Sequence, residues 1–394
     1  MKILYLTARF PYPPNRGDRL TGYNLLRTLS RRHIVTLVSF TDGHEPAEAR
    51  AHIGRVCARI ETVRLPRARS WAQAWLGIGS RVPSQVSFYH SASMRERVAR
   101  LCEAERYDAI FVQLFRMAPF VADLDHPGKI LFLADSIALS LERSKKFEPP
   151  WKRPMLEWER RRVAAFELAM SRAFRECWVL SEVDRAHLAA RGCANAKVVT
   201  HGVDESLFDL ERPAPVLPRA VFLGNLSVPH NVDAACFLAR QIWPRVHRAM
   251  PNAELELAGA EPRPRVLALG EMPGVRVSGP LENVADLWKR ATVMVAPLRF
   301  SAGIQNKVLE AMAAGVPTVT TPQVAEAIGA RDGDTLRVGA DDDALARAVL
   351  DILRDPDSSR DMTVRARALV RERFTWDSMV SRLEDIARRN GGSE

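Results

Sequence analysis

"VMVAPLRFSAGIQNKVLEAMAAGVPTVTT", residues 293–321, reads as strand, loop, helix and strand. Val293–Ala296 is a short apolar run of the length a buried strand needs, and "QNKVLEAMAA" repeats its apolar positions three and four apart, as an amphipathic helix does. The loop from Arg299 to Gly303 opens that helix near Ile304, Gly315 closes it, and Pro317 bars its continuation. Two strands joined through a helix form a βαβ unit, whose strands run parallel.

The same alternation extends in both directions. Strands are expected at Ala220–Gly224, Ala253–Ala258, Val275–Val277, Pro317–Thr320 and Thr335–Val338 in the second half. In the first half they fall at Lys2–Ala8, Ile34–Phe40, Ile60–Leu65, Ala109–Gln113, Lys129–Ala134, Glu176–Leu180 and Lys197–Thr200. Between the halves, Pro213, Pro215 and Pro218 exclude helix and central strand, so a linker is placed at 206–218. The expected organisation is a Rossmann-like domain at 1–205, the linker, a second Rossmann-like domain at 219–374, and a C-terminal helix at 375–394 able to pack back on the first domain. The fold class is α/β, with two parallel sheets whose strand ends face a cleft between domains.

Composition narrows the function. In 394 residues, 47% hydrophobic and 26% charged content supports a packed core and excludes wholesale disorder. No apolar run approaches the roughly 20 residues that cross a bilayer. Five scattered cysteines without a CxxC pair point to neither disulfides nor zinc and fit a reducing cytoplasm. A net charge of +10 favours an anionic partner.

A helix that starts after a parallel strand offers free N–H groups and the positive end of its dipole to a phosphate. Lys307 and Glu310 lie three apart on one helical face, so a cation and a hydrogen-bond acceptor project together. The natural assignment is Lys307 on phosphates and Glu310 on ribose hydroxyls, with Arg299 a second phosphate contact and Gly303 in the loop beside them. Without a ligand the same two residues would be a surface ion pair worth about 0.3–0.5 kcal/mol.

In the first half, "NRGDRL", residues 15–20, follows the first strand and opens a helix. Gly17 permits close backbone approach there. Asp18 is placed either to orient an acceptor hydroxyl or to cap the helix. "KILFLADSIALS", residues 129–140, puts Asp135 just past a strand end, as an acceptor-binding residue or base, or else as the cap of the next helix. Asp341–Asp343 form the densest carboxylate cluster, read as the cap and first-turn acids of "DALARAVLDILRD", so no metal is expected.

"KVLEAMAAGVPTVTT" (307–321) resembles the donor-site signature of glycosyltransferase family 4, and "VSGPLENVADLWKRATVMVAPL" (277–298) resembles its lead-in. "HGVDESLF" (201–208) is similar to that family's domain-junction motif, and "FPYPPNRGDRL" (10–20) to its first strand–helix loop. The resemblance implies a GT-B architecture and transfer of a sugar from a nucleoside diphosphate donor with retention of configuration, of the kind found in exopolysaccharide synthesis. It also implies Gly17 at the donor phosphate, Lys307 on the diphosphate and Glu310 on the ribose, and no cofactor beyond the nucleotide sugar.

Three departures stand out. Ala302 occupies the position of the first Glu in the family's Glu-x7-Glu pattern, and "FLGNLSVPHN" (222–231) has Asn225 and His230 where many relatives clamp phosphate with Arg and Lys. Gln113 falls where several relatives offer a His.

The implied acceptor is a glycan or a polyprenyl-linked glycolipid. Two stretches mixing Trp with Arg or Lys, residues 64–81 and 143–162, are candidates for an anionic membrane surface, which would place the protein peripherally on the inner face of the plasma membrane. A core-facing helix with a basic rim is the alternative for Trp71, Trp75 and Leu76. Competing functions are a GT-B epimerase or phosphorylase, and a non-catalytic nucleic-acid-binding shell. No aromatic-basic RNA signature, P-loop or dinucleotide fingerprint accompanies the fold, so no nucleic acid partner is expected.

Overall fold

The computed structural model describes residues 1–14, 17–43, 45, 47–213, 217–300 and 304–391. Three of the positions singled out above, Pro215, Ala302 and Gly303, lie outside the described residues. The chain folds as two units, Met1–His201 with Trp376–Glu394, and Gly202–Thr375.

In the first unit, β1 (Lys2–Thr7), β2 (Ile34–Thr41), β3 (Arg59–Arg64), β4 (Ala109–Gln113), β5 (Lys129–Ala134), β6 (Glu176–Val179) and β7 (Ala196–Val198) form one sheet. Their order is β3-β2-β1-β4-β5-β6-β7, and every pairing is parallel. Ile3–Leu6 and Ala109–Val112 are buried on both faces, which is why these strands read as unbroken apolar runs rather than alternating ones. The helix Trp376–Gly391 packs on the helix Gly17–Leu29 and on β4. Polar contacts fix its seat: His33 Nε2 lies 2.9 Å from Glu384, and Arg382 Nε donates to Glu176 at 3.0 Å.

The second unit repeats the scheme with β8 (Arg219–Leu223), β9 (Glu254–Ala258), β10 (Val275–Gly279), β11 (Val293–Ala296), β12 (Thr318–Thr320) and β13 (Arg337–Val338). The order is β10-β9-β8-β11-β12-β13, again all parallel. Every strand read from the sequence is present within a residue or two of its expected ends. The helix after β11 runs Asn306–Ala313, starting two residues later than Ile304. Asp341 caps the helix Asp342–Arg354 by accepting from Ala344 N at 2.8 Å, the structural role expected of it.

The segment read as a linker is tied down where it is described. Glu205–Asp209 is a 3-10 turn, and the Arg212 guanidinium donates to the carbonyls of Trp288 (3.0 Å), Ala291 and Gly315. These carbonyls lie at or just past the ends of helices Val284–Arg290 and Asn306–Ala313, where helical partners run out. One arginine therefore satisfies groups that prolines alone could not reveal.

Candidate functional site

Each sheet changes winding direction once, and in such sheets ligands collect at the carboxyl ends of the two strands flanking that point. In the second unit the point lies between β8 and β11. After β8 the chain turns through Gly224–Val228 into the helix Pro229–Phe237, and after β11 it leads to the helix Asn306–Ala313. Lys307 Nζ donates to Asn231 Oδ1, joining the first turns of these helices, and the ammonium lies 5.0 Å from the centroid of the Phe222 ring. Asn231 Nδ2 in turn donates to Asn225 O at 3.0 Å, so its amide is held at both ends.

The electrostatics of this cluster are unusual. Burial pulls Lys307 down to about 7, against the opposing pull of Glu310. Burial, with the like charge of Asp204, pushes Glu310 up to about 7. His230 falls to about 3, first through burial and then through the charge of Lys307, so its imidazole is neutral at physiological pH. Among the described residues no side chain hydrogen-bonds the Glu310 carboxylate. A cation short of counter-charge beside a carboxylate short of donors suits a ligand that brings both an anion and hydroxyls.

Arg299 stands differently from its expected part. Its guanidinium forms a two-pronged pair with Asp233, Nε to Oδ2 at 2.9 Å, and lies 4.8 Å from the Phe237 ring centroid. Lys307, not Arg299, is the cation joined to the "PHN" turn.

In the first unit the winding changes between β1 and β4. Gly17 opens the helix Gly17–Leu29, with nothing within 4 Å of where a Cβ would stand. Asp18 sits in the first turn of that helix, where its Oδ1 accepts from Arg19 N at 3.1 Å. Its Oδ2 accepts from Arg9 at 2.5 Å and lies 3.7 Å from Arg116 Nη2. Gln113, at the end of β4, accepts from Tyr5 Oη at 3.1 Å and donates to Asp18 O at 2.7 Å. Both ends of its amide are thus spent on placing the helix. The next residue, Leu114, has φ 74°, a strained conformation for a branched side chain and one concentrated at functional strand ends.

Asp135 follows β5, whose last residue Ala134 has φ 65°. The cap of the helix Ile137–Ser144 is Ser136, whose hydroxyl accepts from Leu139 N at 3.3 Å, so Asp135 is not the cap. Glu167 accepts from Ile137 N at 2.7 Å and Ser136 Oγ at 3.2 Å, and Asp184 accepts from Ser136 N at 2.9 Å. Asp135 Oδ1 is buried without a hydrogen-bond partner among the described residues. Its burial and the neighbouring charge of Asp184 hold its carboxyl well above the usual range, while burial raises Glu167 to about 7.

A carboxyl raised in this way favours its protonated form, which can donate a hydrogen bond but has no free carboxylate to take a proton. Asp135→Asn, which mimics the protonated acid, is expected to keep turnover within about fivefold. A loss of about 100-fold or more, with a new pH dependence, would show that the ionised carboxylate does the chemistry.

Sequence reasoning missed several of these groups. Arg9 holds Asp18 from the loop after β1 and Arg116 from the 3-10 turn Phe115–Phe120, Glu167 reaches the site from a helix with no motif, and Asn231 carried only the "PHN" signal. That signal was readable as a departure from a basic clamp, but not as the partner of Lys307.

Residues 217–355 match the family model described as glycosyl transferases group 1. A protein of Klebsiella pneumoniae described as an uncharacterized 44.6 kDa protein in the cps region is 20% identical over 96% of this chain and 98% of its own length. Among solved structures, Anabaena HepE in complex with UDP and glucose matches 100% of both chains with a TM-score of 0.69 at 15% identity. The sucrose-phosphate synthase of Thermosynechococcus elongatus matches 100% of both chains with a TM-score of 0.73 at 16% identity. The match to the family model lies within the unit Gly202–Thr375 and includes Lys307, Glu310 and the "PHN" turn, and the chain is a glycosyltransferase of GT-B fold.

Proposed function

We propose that this enzyme moves a sugar from a nucleoside diphosphate donor to an acceptor hydroxyl with retention of anomeric configuration, in the synthesis of a polysaccharide or glycolipid. The donor diphosphate is assigned to Lys307 and the N-terminal amides of the Asn306–Ala313 helix. Arg299 is assigned as a second phosphate contact, its guanidinium held in place by Asp233. Glu310 accepts from the ribose hydroxyls, and neutral His230 offers a hydrogen bond without adding charge. Asp18 and Asp135 are assigned to the acceptor, Asp18 as an orienting group and Asp135 as a hydrogen-bond donor. A glycan or a polyprenyl-linked glycolipid is the acceptor class, and the cps-region relative favours a polysaccharide pathway.

The carrying observation is Lys307, a cation whose burial holds it at about 7. As the glycosidic bond breaks, charge accumulates on the leaving diphosphate, and a preorganised cation there lowers the barrier. Before the donor binds, that ammonium is only partly protonated at pH 8. An adjacent diphosphate raises its affinity for a proton, so binding must take one up.

Titrating UDP calorimetrically at pH 8 in two buffers of different ionisation enthalpy is expected to show proton uptake approaching one per site. Lys307→Met is expected to remove that uptake. Normal affinity with no uptake in the native enzyme would sink the assignment. Transfer assays in EDTA are expected to give full activity, since protein cations and amides neutralise the diphosphate. Product formed from donor with no acceptor added would favour an epimerase instead.

A further inference from the structure

The first unit carries its most exposed large apolar side chains in two segments that meet. On the helix Arg67–Leu76 the inward face is made by Ser70 and Ala74, both small, while Trp75 is 72% and Leu76 85% exposed. This excludes the core-facing alternative for these two residues. The second segment leads into the helix Arg153–Ser171 and presents Trp151, 74% exposed, together with Met155 and Trp158.

Buried Arg162 locks the two together. Its guanidinium donates to Gly77 O at 2.9 Å and to Val82 O, and lies 4.0 Å from the Trp158 ring centroid. Ser84 N donates to Glu159 at 2.7 Å on the same helix. Leu76, next to Gly77, and Trp158 are therefore brought to the same side-chain clamp.

The ridge carries a net positive charge. Residues 64–81 contain no Asp or Glu. The acids of residues 143–162 are all engaged by cations: Glu148 by Lys152, Glu157 by Arg160, Arg161 and Lys145, and Glu159 by Arg162. Arg69, Arg81 and Lys146 are exposed and form no ion pair among the described residues. Indole rings flanked by unpaired cations match a surface that is apolar below and anionic above, whereas a second copy of the same ridge would meet like charge.

We propose that this clamped ridge is a docking surface for an anionic lipid leaflet, at which the enzyme meets a lipid-borne acceptor. The docking itself stands on this surface alone; only the acceptor's arrival rests on the glycosyltransfer reading.

The test is co-sedimentation with phosphatidylglycerol-rich and pure phosphatidylcholine vesicles, with UDP binding measured in parallel. The native chain is expected to bind the first, release with salt, and ignore the second. Trp75→Ala with Trp151→Ala should weaken vesicle binding at least about tenfold. Each basic side chain near such a surface contributes about fivefold, so reversing Arg69, Arg81 and Lys146 to Glu should weaken it roughly 100-fold or more. UDP affinity should stay unchanged in both variants, which separates failure of the docking surface from failure of the donor site.

Unaltered vesicle binding in the charge-reversed variant would overturn the proposal. So would equal binding to phosphatidylcholine, preference for an oligonucleotide, or self-association that the two Trp replacements abolish. The charge reversals are at exposed positions, so they keep the question open to test should the Trp variant melt early.

Discussion

Lys307→Ala and Glu310→Ala are each expected to lower turnover by about 100-fold or more, the loss typical of removing one preorganised group from a developing charge. Both proteins should remain folded, and the pH dependence of stability gives an independent check. Lys307 sits at about 7 in the fold and near 10.5 when unfolded, so the unfolded chain binds more protons between those values. Stability drawn from this residue therefore rises with pH across that window, and Lys307→Ala should gain most, relative to the native chain, below pH 7. Part of that gain is offset by about 1 kcal/mol because Asn231 Oδ1 loses its donor.

Glu310 behaves oppositely. Its carboxyl is raised from 4.5 to about 7, so the folded state holds its proton longer and ionisation costs stability as pH rises through that range. Glu310→Gln should stabilise the fold above pH 7, by about 1–2 kcal/mol after solvent screening, and have no advantage below pH 4.5. Melting curves across pH 4–10 with paired turnover assays check both. Variants that keep near-native turnover would remove these residues from the donor site, whatever their stability.

Gly259→Ala is expected to be the most damaging single methyl in the second unit. Gly259 follows β9 with φ 140°, and a Cβ there would stand 1.7 Å from Gly224 O. The contact is with backbone, so no side-chain rotation relieves it. Gly224 has the matching constraint, since a Cβ on it would lie 2.8 Å from Asn231 Cγ. The two turns pass so closely that only hydrogens fit between them, and that approach sets the amide that holds Lys307.

Gly259→Ala should lower stability by about 3–5 kcal/mol, through overpacking and backbone displacement. Gly333→Ala is the control. It also has positive φ, 71°, but nothing stands within 4 Å of the added carbon, so about 1–2 kcal/mol of strain is expected. Because the chain has two units, the comparison is read from the transition of the second unit rather than a single midpoint. Equal shifts for the two variants would show that the contact with Gly224 does not matter.

The strands were legible because parallel strands covered on both faces must be apolar along their whole length, and helices between them must repeat at three and four. Val293–Ala296 followed by "NKVLEAMAA" leaves little freedom, and the Lys307–Glu310 spacing places both on one face of the resulting helix. Gly315, with φ 70°, ends that helix as its position suggested.

Sequence by itself thus determined two parallel α/β sheets, their strands and the helix that presents Lys307 and Glu310, since each follows from periodicity and from residues allowed at helix ends. Tertiary structure decided the partners: Asn231 for Lys307, Asp233 for Arg299, Arg9 and Arg116 for Asp18, and Ser136 rather than Asp135 as a cap. It also decided that Trp75 and Trp151 face outward and that Arg212 anchors the Pro-rich segment. The physical reason is range. Periodicity and capping act over one or two helical turns, whereas hydrogen bonding, desolvation and like-charge repulsion at a site depend on residues tens of positions apart, whose meeting only the strand order fixes.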